Sequence, residues 1–164
     1  MGTEMNGEPT RPDGPSDLND EQYEILAAFR RSLREFLTFS DGAAVAEGLT
    51  GQQHQALLAI RGRGAPVSIG EIAEELGILN HSTVGLVARL VERDMVRRWP
   101  LPEDRRRIMV ELRPLGIEVL SRISMQNLRE IERLAAQLAQ VREKVLQLRA
   151  QTNSDEVLSA ASQK

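Results

Sequence analysis

Apolar residues fall at helical spacing along most of the chain and alternate in twos along one short stretch. That switch marks the segment around which the rest is arranged. Ile69, Ile72, Ala73 and Leu76 recur at i, i+3, i+4 and i+7, the buried stripe of a short helix. Ser68-Ile69-Gly70-Glu71 opens it as a capping box, in which the glutamate reaches back to the cap amide. Gly77 follows where a left-handed residue ends a helix without a Cβ penalty. A second helix restarts almost at once with Asn80 as its cap, and two helices on so short a turn cross steeply, as in a helix-turn-helix. On this second helix Thr83, Val84, Leu86, Val87, Leu90 and Val91 take one side; His81, Ser82, Gly85, Ala88, Arg89, Glu92 and Arg93 take the other. Residues 95–99 are strand-like, residues 100–104 cannot continue the strand, and Ile108, Val110 and Leu112 alternate along a returning one. The hairpin so predicted carries Asp104-Arg105-Arg106-Arg107 at its tip.

Helical periodicity also organises the flanks. Asn19-Asp20-Glu21-Gln22 caps a helix running to about residue 40, striped by Leu26, Phe29, Leu33, Phe36 and Leu37, with Arg30, Arg31 and Arg34 off the stripe. Residues 41–49 form a connector, with a short turn of helix around Ala43 to Ala46 as the alternative, and Thr50-Gly51-Gln52-Gln53 is a further capping box before Ala56, Leu57 and Ile60. Beyond Pro114 and Gly116, neither proline nor glycine occurs through residue 151, and Ile117, Leu120, Ile123, Leu128, Ile131 and Leu134 begin a long apolar seam. It becomes heptad-like toward Leu148, too short to prove a coiled coil. A seam this long exceeds what a 45-residue core can cover, so a dimer interface is the economical reading, with an intrachain hairpin as the other. The expected division is a disordered tail over 1–18, a helix and connector over 19–48, the helix-turn-helix and hairpin over 49–113, helices over 114–151 and a frayed end over 152–164.

Charge changes the picture only in its distribution. The formal net charge is −3, yet residues 89–113 hold eight arginines against Glu92, Asp94, Glu103, Asp104 and Glu111, a local balance of +3. An acidic body with one basic face suits a protein that offers that face to DNA. No cysteine is present, which removes disulfides, thiol switches and cysteine-ligated metals. No apolar run approaches the roughly 20 residues that span a bilayer, and no signal-like segment opens the chain, so a cytoplasmic protein without membrane partners is expected. His54 and His81 are the only histidines. His54 has no second ligand at metal spacing and reads as a plain surface or pocket histidine. No phosphate-binding loop or nucleophile–histidine–acid set appears, so neither an enzyme nor a cofactor or metal is expected.

The small, polar outer face of the second helix suits a major groove. Taken alone it reads equally as the solvated side of an ordinary amphipathic helix. The hairpin tip decides between them. Ile72-Ala73-Glu74-Glu75-Leu76, Ser82-Thr83-Val84, Leu86-Val87-Ala88-Arg89-Leu90, Met95-Val96-Arg97-Arg98, Asp104-Arg105-Arg106 and Val110-Glu111-Leu112 together resemble the winged-helix core of the multiple-antibiotic-resistance regulator (MarR) family, in layout across residues 26–134. The resemblance implies a mainly α fold with a small β-hairpin wing, a winged helix-turn-helix core flanked by N- and C-terminal dimerisation helices. It implies a bacterial or archaeal homodimeric regulator, most often a repressor, that binds an inverted-repeat operator in double-stranded DNA and responds to a small organic effector. The DNA contacts would come from Asn80, His81, Ser82, Thr83, Gly85 and Arg89 on the second helix and from Arg98, Asp104, Arg105 and Arg106 on the wing. Arg106, positioned by Asp104, would reach the minor groove, with Arg105 as the alternate if the register differs. Three residues depart from the family pattern: Asp94 stands where a turn glycine is usual, Arg113 where a capping threonine is usual, and Trp99 is unusual on the wing. A winged-helix protein–protein adaptor without sequence-specific DNA binding is the competing class.

Overall fold

The computed structural model describes residues 18–162, the last dozen of them as backbone alone. The tail expected over 1–18 therefore lies, up to residue 17, outside the described residues. The elements run α1 (Asp20–Ala46), α2 (Gly51–Gly62), β1 (Val67–Ser68), α3 (Ile69–Leu76), α4 (Asn80–Glu92), β2 (Val96–Leu101), β3 (Asp104–Leu112) and α5 (Pro114–Ser162). The described residues fall into two compact units, one of residues 31–138 and one that joins 18–30 with 139–162.

In the larger unit both capping boxes form. Thr50 and Gln53 open α2, and Ser68 and Glu71 open α3, each pair exchanging side-chain and main-chain bonds. Three helices end in one pattern, the Schellman motif, in which the residue after a left-handed position bonds back to the fifth residue before it. Leu49 N–H reaches Ala44 O (2.9 Å), Ile78 N–H reaches Ala73 O (3.1 Å) and Met95 N–H reaches Leu90 O (3.0 Å). Gly48 and Gly77 hold the left-handed position in the first two; in the third it is Asp94, at φ 58°. Asp94 is the non-glycine residue that bears this conformation among those described, and its carboxylate pairs with Arg113 at 2.6 Å.

The sheet has strand order β1-β3-β2, all antiparallel. β1, which hydrophobic pattern did not reveal, pairs Val67 with Val110 and Ser68 with Met109, so Ser68 serves both as strand residue and helix cap. The core beneath it joins Leu57, Ile72, Val87, Leu90, Val96, Val110 and Ile123. Gly116 marks the tightest junction. A Cβ there would stand 2.1 Å from the carbonyl oxygen of Met95, which also accepts the Arg113 N–H at 2.9 Å. Arg113 thus gives up the capping role of a threonine, and Pro114 at the first helical position needs no partner for an N–H.

Several expectations are corrected. α1 does not stop near residue 40; it continues through Gly42 to Ala46, because Ser40, Ala43 and Ala44 are buried and Ser40 accepts from Asn127 Nδ2 at 3.0 Å. That burial outweighs the roughly 1 kcal/mol a helical glycine costs. α4 begins at Asn80 and is capped by Leu79 without a side-chain bond, so Asn80 is its first residue rather than its cap. The wing strands extend to Leu101 and from Asp104, leaving Pro102 and Glu103 as the turn. Pro100, which lacks an amide proton, pairs with Ile108 just where the register slips, and Leu101 then meets Asp104. The end expected to fray over 152–164 is helical through Ser162, in a stretch without proline or glycine.

In the smaller unit Ile25 and Leu148 are buried, and Leu18, Gln22, Ile25, Leu26, Val145, Leu148 and Arg149 line a cleft of about 610 Å³. Among the described residues no helix is long and apolar enough to cross a membrane.

Two outcomes follow for folding. Gly116→Ala should lower the unfolding free energy by about 1–3 kcal/mol, as overpacking against main chain does, measured by urea denaturation. His54 is not a surface residue: it is 4 % exposed, its Nε2 is buried without a partner among the described residues, and desolvation pulls its pKa below 6.5 against the opposing pull of Asp41. The unfolded chain therefore binds a proton near pH 6.5 that the native state refuses. Stability should be full above that pH, fall as pH drops below it toward the depressed native value, and lose this dependence in His54→Gln. A flat wild-type profile across that window would contradict the assignment.

Candidate nucleic-acid interface

α4 presents two different surfaces. Thr83, Leu86, Val87 and Leu90 are buried. Asn80, His81, Ser82 and Arg89 are exposed, while Gly85 and Ala88 are half-buried between them. The sequence reading placed Thr83 among the DNA contacts, but it is 0 % exposed and its hydroxyl donates to Leu79 O at 3.2 Å, back-bonding within the first turn. Val84, by contrast, was assigned to the buried side and is 41 % exposed. The signal was available: with the helix starting at Asn80, Val84 and Ala88 follow it at four-residue steps along one row. Val84 gives that row an apolar contact of the kind a thymine methyl takes.

The wing lies beside this surface. Ser68, Ile69, Gly70, Asn80, Val84, Arg106, Arg107 and Ile108 line one cleft of about 280 Å³, which brings the first turn of α4 and the arginine run of β3 together. The slip in register after Pro100 leaves Arg105, Arg106 and Arg107 without matching residues on β2, a local bulge that turns their side chains off the ladder. Asp104 acts here, though not on the guanidinium that sequence reasoning gave it: its Oδ1 accepts the main-chain N–H of Arg106 at 3.0 Å. It shapes the backbone that carries the arginine and leaves the charged end without a bond to the acid.

The eight arginines of residues 89–113 divide into two groups. Arg93 bonds the main-chain carbonyls of Glu47 and Gly48, Arg97 pairs with Glu111 and lies 5.1 Å from the Trp99 ring centroid, Arg107 pairs with Glu71 at 3.6 Å, and Arg113 pairs with Asp94. Trp99 is thereby accounted for as wing packing. Arg89, Arg98, Arg105 and Arg106 meet no acid among the described residues, and all four are exposed. Those four are the arginines proposed from sequence as DNA contacts. Arg106 and Asn80 share the cleft, whereas Arg98 and Arg105 stand outside it. Glu71 meets this surface through Arg107, which lines the cleft. The Ser68 hydroxyl, then the Ser68 amide, hold its carboxyl below the usual carboxylate range, with Arg107 and Arg63 adding smaller shares.

Comparison with known proteins points the same way. The MarR family model matches residues 47–107. The HTH-type transcriptional repressor NicR of Pseudomonas putida is 29% identical over 131 residues, covering 74% of this chain and 80% of that protein. The crystal structure of the transcriptional regulator PA4135 superposes with a TM-score of 0.54 at 27% identity, covering 82% of this chain and 89% of that one. RV1404 of Mycobacterium tuberculosis superposes with a TM-score of 0.61 at 25% identity, covering 87% and 97%.

Arg106→Ala should weaken binding to the protein's DNA site by about 1–3 kcal/mol while leaving the melting temperature within error, because an exposed tip contributes little to folding. Fluorescence anisotropy on a labelled duplex and a thermal melt of the same preparation check both halves.

Proposed function

The chain belongs to the MarR family of winged helix-turn-helix, DNA-binding transcription regulators, which are not enzymes, and from that premise we propose that it is a homodimeric repressor released from its operator by a small organic acid. The observation that carries the DNA-binding half of this reading is the division of the arginines. Four guanidiniums are tied into the fold, and four others stand exposed on α4 and the wing with no acid among the described residues to neutralise them. His81, Ser82, Gly85, Val84 and Arg89 would read base edges in the major groove, and Arg106, with Arg105 and Arg98 nearby on the wing, would take the minor groove and phosphates. A protein–protein adaptor has no use for such a set.

Dimerisation is supported by apolar surface that each unit leaves uncovered. In the larger unit Leu37 is 56 % and Leu128 61 % exposed, and Met125 and Ile131 are exposed with them; in the smaller one Tyr23, Leu26 and Phe29 are exposed. Large apolar side chains exposed in this number on two helices are what an association surface requires. α1 and α5 would supply the interface, as the division into a DNA-binding segment and flanking helices anticipates. The repressor assignment follows NicR, whose name gives that role for that protein.

An organic effector is favoured over an oxidant because the chain has no cysteine. Methionine oxidation is the other route for an oxidant: Met95 is buried, whereas Met109 on the wing is half-buried and Met125 is exposed. The effector acts only through its different affinities for the DNA-competent and DNA-incompetent arrangements of the dimer.

Footprinting on genomic fragments should give an inverted repeat with half-site centres about 34–36 Å apart, and sedimentation should give a dimer at micromolar concentration. Aromatic acids should release the complex in a gel shift while mild peroxide does not. An asymmetric single half-site, or a monomer that binds as tightly as the full assembly, would overturn the dimeric reading. Release by peroxide with no methionine sulfoxide detected would overturn the effector.

A further inference from the structure

The wing is a two-stranded extension whose ladder is interrupted at Pro100 and Leu101. Beyond that slip, little of its own hydrogen bonding holds the tip in place, and isolated hairpins are marginal in water. Arg107 lies inside the slipped segment, and its guanidinium crosses from the wing to Glu71 on α3. Glu71 is itself held firmly. Its Oε2 accepts from the Ser68 N–H at 2.7 Å and the Ser68 hydroxyl at 2.6 Å, and its Oε1 faces Arg63 at 3.7 Å. Arg63 also pairs with Glu75 at 3.4 Å, so it does not depend on Glu71 alone. The Arg107–Glu71 pair therefore fastens the slipped part of the hairpin to a capped helix end, next to the cleft lined by Arg106, Asn80 and Val84.

We propose that Glu71 is a positioning residue for DNA recognition: by holding Arg107 it fixes where the wing tip stands relative to α4, and so sets the spacing between major-groove and minor-groove contacts. This rests on the DNA-binding reading given above. It assigns to an acid, which bare electrostatics would count against DNA binding, a role in strengthening it. Glu71 touches no base or phosphate in this account. It costs one unit of negative charge near DNA and in return orders Arg105 and Arg106 before binding, which lowers the entropy lost when they dock.

Glu71→Gln separates this role from helix capping, because glutamine fills the same box. The chain already demonstrates it at α2, where Gln53 exchanges both bonds with Thr50. In E71Q the box should persist and the melting temperature stay within error, while the ion pair to Arg107 is lost. Hydrogen exchange at the main-chain amides of residues 104–107 in the free protein should accelerate. Operator affinity should fall about fivefold per half-site, the upper range for an exposed pair, although the variant is the more positive. Arg107→Ala should produce the same loss, and the double variant no more than either alone, since both remove one fastening.

If E71Q instead binds as tightly or tighter, with a salt dependence steeper by about 0.9 per arginine freed to meet phosphate, Glu71 merely sequesters Arg107 and the proposal falls. Additive losses in the double variant would overturn it too, by showing that Arg107 touches DNA itself. Arg106→Ala, measured beside them, keeps the two levels apart. Loss in R106A with none in E71Q overturns the positioning role and leaves the interface standing; loss in neither overturns both.

Discussion

The main-chain carbonyl of Met95 accepts the N–H of Arg113 while Gly116 presses its bare Cα side against the same oxygen. Met95 N–H, on the other side of that residue, closes the Schellman turn onto Leu90 O. One residue therefore joins the end of α4, the start of β2, the end of β3 and the first turn of α5. Met95 and Val96 are also buried in the core, so packing holds what the hydrogen bonds align. Asp94 and Arg113, the two departures from the family pattern at this place, are partners in one ion pair. The aspartate accepts the left-handed backbone that glycine would adopt freely, and the arginine gives up side-chain capping of α5. The two replacements thus meet in one contact at the junction.

A second constraint is electrostatic. A net charge of −3 gives no hint of nucleic-acid binding, and even the local excess of arginine over acid is misleading as a count. Half of the arginines in the basic stretch are structural, bonded to carbonyls or carboxylates that fix loops and strands. What DNA would meet is the remainder, and the fold selects it by giving acids to some arginines and withholding them from others. Glu71 belongs to this selection, since the acid that caps α3 also decides which wing arginine is unavailable. Charge placement here is a consequence of packing, which is why composition alone undervalues it.

What could be read from the sequence was whatever depends on neighbours along the chain. The boxes at Thr50 and Ser68 need only a residue three positions on, and Gly77 only its own missing Cβ, so all three were visible. Asn80 was misread as a cap because cap preference cannot distinguish the position before a helix from its first residue. Thr83 was misassigned for a related reason: a small polar residue suits either face, and only the structure shows its hydroxyl turned back to Leu79. β1 was invisible, since two residues carry no periodicity and gain their strand character from Val110 and Met109 far along the chain. The extension of α1 through Gly42 likewise depends on burial against distant residues, Asn127 among them. Of the candidate site, the four arginines are exposed and Gly85 and Ala88 half-buried on the outer face of α4; what the sequence could not supply was the partner of each charge.

The rigidity of the Met95 junction limits how a signal could reach DNA. The end of α4 and the start of α5 meet at Met95, whose N–H closes the first and whose carbonyl anchors the residue before the second, and Gly116 leaves no gap at that oxygen into which the helix could settle. Any displacement of the start of α5 must then carry α4 and the wing with it, as packed interfaces shift between discrete arrangements more readily than they deform. A regulator built this way does not need to unfold or remodel its reading helix in order to release an operator. As the dimer proposed above, it would need only to alter the separation of two intact winged cores, and because each core would fit its own half-site, a change in separation would be sufficient. The exposed apolar faces of α1 and α5 are where such a change would be registered, and the junction is what would convey it unchanged to the arginines.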